Sequence, residues 1–304
     1  MLETLSFIFA SIVVAATPLL LAATGELVTE KSGVLNLGIE GMMLIGAVSG
    51  FATLAATDSA SLALLVAALS GAALSLVFGF LTLTLQANQV ATGLALTIFG
   101  IGLSALLGQS LVGVAVDRLP KLQIDGAPQV LANLLFHDLL VYFSLFMVGL
   151  VWWFLNRSRA GLVLRAVGEN HDAAHAIGYP VIAIRYLATL FGGTMSGLAG
   201  AYLSLAYTPM WAENMSAGRG WIALALVVFA TWRPGRLLFG AYLFGGITIG
   251  QLHLQGLGIS IPSQVLSMLP YLATILVLVF ISRDQARVRI NAPACIGKLF
   301  RPST

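Results

Sequence analysis

An all-α membrane protein is predicted: a polytopic helical bundle of about nine transmembrane helices, with one interrupted helix region and one short helix on the cytoplasmic side. Three observations carry that reading. Of the 304 residues, 59% are hydrophobic and only 9% charged, with mean hydropathy +0.96, whereas about a quarter of the residues of a soluble domain are charged. Apolar stretches close to the ~20 residues needed to cross a bilayer recur along the whole chain. The basic residues fall mostly on alternate connections: Lys31, Arg157, Arg159, Arg165, Arg185, Arg233, Arg236, Arg283, Arg287, Arg289, Lys298 and Arg301 on one side, against Arg118, Lys121 and Arg219 on the other. Twelve against three is a positive-inside bias, and nine crossings then put the N-terminus outside and the C-terminus in the cytoplasm.

The first apolar segment, about Leu5 to Ala23, starts almost at Met1 with no basic leader and is expected to be a retained helix. After it, GELVTEKSGVLNLGIEG holds Glu26, Glu30, Lys31, Asn36 and Glu40 without a long loop. Part of it is expected to be non-helical backbone at membrane depth, which is tolerated only inside protein or along a wet cavity. Segments follow at Gly41–Thr57, Ser61–Leu85 and Val90–Val112, the last two separated by the turn Gln86-Ala87-Asn88-Gln89. The loop Gly113–Asp138, with Asp117, Arg118, Pro120, Lys121, Asp125, Gly126 and Pro128, has mixed charge and loop-forming residues.

Leu139–Leu155 leads into the longest basic interruption, Asn156–Arg185. Within it Asn170 can cap a helix, Asp172 sits in a first turn where negative charge suits the macrodipole, Gly178 can close the helix and Pro180 stops it. Two turns are too short to be stable alone in water, so this helix should rest on a partner. Val181–Tyr207 carries Gly193, Ser196, Gly197 and Gly200 on one face, a pattern for close helix contact. Trp221–Trp232 is short for a span and is either re-entrant or helped across by its tryptophans. The turn Arg233-Pro234-Gly235-Arg236, the glycine-bearing segment Leu237–Leu254 and the segment Gln264–Ile281 complete the transmembrane part, 1–282. Residues 283–304 form a basic cytoplasmic tail.

The chemistry is sparse. There is no GxxxxGK[ST] phosphate loop, so ATP hydrolysis must come from another chain. The lone Cys295 excludes an internal disulfide framework. A net charge of +3 follows from membrane insertion and asks for no nucleic acid. His171 and His175 are spaced like the histidines of HExxH proteases, but the residue between them is Asp172, too short for the glutamate role. No third ligand accompanies them, so no metal site is expected and the reading is a solvated helix face. Polar residues at membrane depth, Asn36, Glu40, Asn88, Gln89, Thr92, Glu213, Asn214 and Gln251, are candidates for lining a translocation path.

The succession EKSGVLNLGIEGMMLIGA, RSRAGLVLRAVGENHDAAHAIGYPV, GGTMSGLAGAYLSL and GRGWIALALVVFATWRPGRLLFGAYLFG resembles the permease subunits of ATP-binding-cassette importers of the ribose and branched-chain amino acid type, from about Gly25 to Ile281. The wording is most similar to the shorter permease of nucleoside importers served by basic-membrane-protein lipoproteins. Thr231-Trp232-Arg233-Pro234-Gly235 stands where many sugar permeases have small residues, which agrees with that subgroup. The resemblance implies a bacterial cytoplasmic membrane, a second homologous permease in a heterodimer, and a separate ATPase subunit that binds ATP and Mg. It also implies a substrate-binding lipoprotein and a path for nucleosides, with ribose or a branched-chain amino acid as the alternative. The coupling element to the ATPase would lie within 156–185, with Arg157, Arg159, Arg165, Gly168, Glu169, Asn170, Ala173, Ala174, Ile177 and Gly178 as contact residues. An ion-gradient-driven transporter is the rival of another class.

Overall fold

A computed structural model of the chain describes residues 2–120, 128–256, 262–282 and 291–301. Lys121, Asp125 and Gly126 of the long loop, and Arg283, Arg287 and Arg289 of the tail, lie outside the described residues. In chain order the helices are α1 (Leu2–Lys31), α2 (Ile39–Thr57), α3 (Ala60–Gly79), α4 (Gln89–Gly108), α5 (Gln129–Leu135), α6 (Leu139–Arg157), α7 (Arg159–Glu169), α8 (His171–Ala176), α9 (Val181–Tyr202), α10 (Arg219–Phe229), α11 (Pro234–Gly256), α12 (Ser263–Ser267) and α13 (Leu269–Ser282). Wide π turns at Phe80–Thr84 and Leu203–Tyr207 extend α3 and α9. Among the described residues, seven helices (α1, α2, α3, α4, α6, α9 and α11) are long and apolar enough to cross a membrane, and α10 is a shorter apolar helix.

Two differences from the sequence expectation stand out. The first helix does not stop near Ala23 but runs on to Lys31, carrying Glu26 and Glu30 inside helical backbone. The interruption is therefore confined to Ser32–Gly38. Arg159–Glu169, expected only as a polar connection, is a helix of its own, started by Ser158, whose Oγ accepts from the Gly161 amide at 2.9 Å.

Centrally placed α9 is wrapped by α1, α2 and α3, and the small residues expected on its face do pack there. A methyl group on Gly46 of α2 would run into the Gly197 backbone, one on Gly71 of α3 into the Gly193 carbonyl, and one on Gly200 into the Met43 carbonyl. Without side chains between them, backbones come close enough for hydroxyls to bond across helices. Thr29 Oγ1 donates to the Ala188 carbonyl at 3.1 Å and Ser204 Oγ to the Ala47 carbonyl at 2.9 Å. The contacts also fix directions. Gly25 meets Gly192 while Thr29 meets Ala188, so α1 runs antiparallel to α9. Gly46 meets Gly197 and Gly50 meets Ala201, so α2 runs parallel to it.

The short α10, 11 residues, is about 16 Å long at 1.5 Å per residue, half the ~30 Å apolar thickness of a bilayer. The irregular residues before it supply the rest of the path. Trp211 packs on Gly108 at the far end of α4, Gly220 on Glu40 at the start of α2, and Trp232 reaches Glu30 near the end of α1. Residues 208–232 thus pass along the length of the bundle in two pieces, an irregular one and a helical one.

Filling the α9 contact should abolish folding. Gly197→Leu has no room against Ala67 and Gly71, whereas Gly250, with nothing within 4 Å of an added Cβ, should accept leucine. Overpacking a tight contact costs about 1–3 kcal/mol and more against rigid backbone. Fluorescence-detected size exclusion of tagged chains should show a monodisperse peak for Gly250→Leu and its loss for Gly197→Leu.

Candidate functional site

At the end of the bundle where Lys31, Arg165 and Arg233 gather, α7 and α8 form a corner. The faces of α7 differ sharply: Gly161, Leu164, Val167 and Gly168 are buried, while Arg159 and Glu169 are exposed. Gly168 is needed because its Cα lies against the Lys31 carbonyl oxygen. Asn170 then caps α8 as expected, its Oδ1 accepting from the Ala173 amide at 3.0 Å, and Gly178 follows at φ +92°. The helix has two sides. His171 and Ala174 are buried, whereas Asp172, Ala173 and Ala176 face outward with Ile177, which is 73% exposed.

The inner side of α8 is tied to the bundle by Arg185, one of the largest fully buried side chains of the protein. Its Nη2 donates to His171 Nδ1 at 2.9 Å, its Nε to the Ser32 carbonyl at 3.2 Å and its Nη1 to the Lys298 carbonyl at 3.2 Å. An arginine can only donate, so Nδ1 of His171 is the unprotonated nitrogen and the ring is neutral. The same corner receives residues 291–301. The Cys295 amide donates to the Gly168 carbonyl at 2.9 Å and the Gly297 amide to the Gly33 carbonyl at 3.1 Å. Phe300 sits edge-on to both His171 and His175, with ring centroids 5.2 and 5.3 Å away. The two histidines are therefore packing partners of a phenylalanine and not a solvated face. Among the described residues no group of three metal-ligating side chains occurs.

Next to this corner lies the interruption between α1 and α2, organised by three buried carboxylates. Glu26 Oε1 accepts from the Asn36 amide at 3.2 Å. Glu30 Oε2 accepts from Trp232 Nε1 at 2.5 Å. Glu40 accepts from Ser216 Oγ at 2.6 Å and from the Gly218 and Gly220 amides at 2.8 and 2.6 Å. Glu40 thus caps α10 from another helix, placing a negative charge on its unsatisfied amides and the positive end of its dipole. With Glu30 at the other end, α10 is held at both termini.

The path candidates fall into two groups. Asn36, Glu40 and Gln89 are buried and bonded to backbone inside the chain: Asn36 Oδ1 accepts from Gly38 N at 2.9 Å and Gln89 Oε1 from Leu35 N at 2.8 Å. Asn88, Glu213 and Asn214 are exposed, and Thr92 and Gln251 half-buried. Asn88 doubles as the cap of α4, accepting from the Ala91 amide at 3.0 Å. Of the residues expected at the coupling surface, Arg157, Arg159, Glu169, Asn170, Ala173, Ile177 and Gly178 are exposed, Arg165 is half-buried, and Gly168 and Ala174 face inward. Not anticipated from the sequence were Arg185 as a tie, Phe300, and Ser216 with Trp232 as donors to the acids. The only sequence signal was the arginine four residues into an apolar segment.

The branched-chain amino acid transport system permease component family matches residues 8–279. The chain belongs to this family. It is a permease subunit of an ATP-binding-cassette importer, integral to the membrane and not itself catalytic, with the ATPase on a separate subunit. The permease is 41% identical to a putative glucose ABC transporter permease of Haloferax volcanii over 93% of each chain. It is 33% identical to a guanosine ABC transporter permease of Bacillus subtilis, covering 97% of this chain and 98% of the other. With a nucleoside ABC transporter permease of Lactococcus lactis it shares 31% identity over 91% and 92% of the two chains.

Two measurements check this geometry. Hydrogen bonds to a charged group contribute about 1.5–3 kcal/mol each, so thermal melts of the purified permease should rank wild type above Glu40→Gln and Glu40→Ala lowest. The second concerns His171. Burial, then the neighbouring Arg185 and Lys298, hold its imidazole below the ordinary value of 6.5, with Asp172 opposing. The stabilising contribution of the neutral ring is full above pH 6.5 and is lost as pH falls through the lowered folded value. Hydrogen exchange in α8, corrected for intrinsic rates, should accelerate below pH 6.5, and His171→Gln should flatten that response.

Proposed function

We propose that the permease forms half of the path of an ATP-driven importer for nucleosides, working by alternating access. The end carrying α7, α8 and residues 291–301 faces the cytoplasm, the N-terminus lies outside, and nine crossings result when α10 with its preceding irregular stretch and α13 are counted. A second homologous permease, an ATPase beneath α8 and a substrate-binding lipoprotein on the opposite end complete the assembly.

The observation that carries this reading is the two-sided α8. Its outer side offers Ala173, Ala176 and Ile177 at the basic end, small and apolar enough to enter a groove on an ATPase. Its inner side is bonded through Arg185 to Ser32. A displacement of α8 on closure of the ATPase dimer then reaches the α1–α2 interruption and, through Glu30 and Glu40, α10. Packed contacts as tight as those of α9 move as rigid bodies. Substrate contacts are assigned to the exposed Glu213 and Asn214 and the half-buried Thr92, with affinity residing in the external binding protein.

Relatives that carry guanosine and nucleosides support the nucleoside assignment. The glucose relative, at higher identity, favours a sugar as the second reading. Proteoliposomes containing the permease, its partner permease, the ATPase and the binding protein distinguish them. Labelled guanosine entering with ATP and blocked by unlabelled nucleosides is the expected outcome. Entry of glucose instead discards the nucleoside, and gradient-driven entry without the ATPase discards the importer. In the same vesicles Ala173→Arg should bring uptake and substrate-stimulated ATPase activity to background while membrane insertion is kept. Undiminished uptake removes α8 from the coupling role.

A further inference from the structure

A second site lies where the ends of α1, α6 and α7 meet the start of α11. A cavity of about 520 Å³ opens there, and Lys31, Arg165, Arg233 and Arg236 all line it, with Trp152 and Trp232. Three separate parts of the chain supply the four cations, Arg233 and Arg236 coming from one turn. Among the described residues, the hydrogen-bond acceptors that these cations have are neutral. Lys31 Nζ donates to the Asn291 carbonyl at 2.7 Å, Arg236 Nη1 to Thr231 Oγ1 at 2.7 Å and Arg233 Nε to Asn291 Oδ1 at 3.4 Å. Arg165 Nε is buried with no hydrogen-bond partner. Among the described residues, no carboxylate lies within ion-pairing distance of any of the four. Glu169 and Glu30 lie near enough to Lys31 to attract it, but neither pairs with it, and Glu30 accepts from Trp232.

Four positive side chains around one concavity repel one another, and an anion seated between them removes that cost. Its chemistry follows from the surroundings. The exposed Trp152 and Trp153 mark the level of the membrane interface on α6. Away from the cavity the outer sides of α6 and α11 are apolar, with Phe146 63% and Phe239 66% exposed. A ligand here has a charged head among arginines and an apolar wall for a tail. Basic cavities between transmembrane helices at this depth suit phospholipid head groups.

We propose that this cavity binds the phosphate head group of an anionic membrane phospholipid. The guanidinium groups of Arg165, Arg233 and Arg236 hold the phosphate oxygens in the paired geometry that favours arginine for this role, and Lys31 adds a point charge. Because Lys31 ends α1 and Arg233 follows Trp232, the bound head group braces the corner that Glu30 and Trp232 make.

The test uses the purified full-length permease, titrated with phosphatidylglycerol in phosphatidylcholine bicelles and read by native mass spectrometry and thermal shift. It needs no transport, so failure of the importer reading leaves it intact. Each basic residue near a membrane surface is worth about fivefold in lipid affinity. Arg165→Gln with Arg233→Gln should therefore weaken phosphatidylglycerol binding about 25-fold. Removing the same charge at the exposed Arg157 and Arg159 should weaken it clearly less, since neither residue lines the cavity. Lysine at positions 165 and 233 should retain most of the affinity. In the wild type, without any substitution, saturating phosphatidylglycerol should slow hydrogen exchange around Arg165 and at Arg233–Arg236. Four results overturn the proposal. The first two are equal loss in both double variants and protection elsewhere. Displacement of the lipid by millimolar inorganic phosphate would mark a site for a soluble phosphate compound. Unchanged lipid binding with weakened ATPase association would make the arginines a protein contact.

Discussion

Three carboxylates buried within the same short passage are the constraint on which much of this bundle depends. Glu26, Glu30 and Glu40 are each 3% or less exposed, and a carboxylate removed from water must find donors. The protein supplies them from the interruption's own backbone, from an indole and from the open amides of α10. One requirement therefore bears on three irregular features together: the non-helical residues 32–38, the shortness of α10, and the irregular stretch ahead of it. Irregular backbone survives at membrane depth here because its polar groups are enclosed in protein, where each of the three acids accepts at least one hydrogen bond.

Much of the architecture was legible because its causes are local. Apolar length set the long helices, and the ends of α2, α6 and the extended α9 fall within two residues of the sequence reading. Small residues at spacings of three and four marked the face of α9 that the neighbouring helices cover. For α8, Asn170, Gly178 and Pro180 act within a few residues of one another, so cap and stop could be read directly. Pattern of this kind reports what a residue does to its own turn.

What was missed depends on contacts between distant parts of the chain. Glu40 reads as a polar intrusion suited to a path, because its donors, Ser216, Gly218 and Gly220, lie about 180 positions away. Helix α1 outran its expected end because the cost of the two acids inside it is reduced only when Asn36 and Trp232 fold against them. Arg185 looked like one more basic residue of a cytoplasmic loop, and only the assembled corner reveals it as a buried tie. The helix α7 could have been found: Ser158 followed by Leu164 and Val167 against Arg159 and Arg165 is an amphipathic pattern, short enough to pass for loop.

The docking of residues 291–301 has a consequence for how the protein is made. Phe300 closes a small core with Val167, Ala174 and Val181, and Arg185 meets Lys298, 113 residues further along the chain. During synthesis the N-terminal part emerges and inserts first, so α8 leaves the ribosome long before the residues that seat it. Until those arrive, the corner has its cap and its stop but lacks one wall. The order of translation thereby leaves this corner unfinished until residues 291–301 have been made, a timing written into chain connectivity alone.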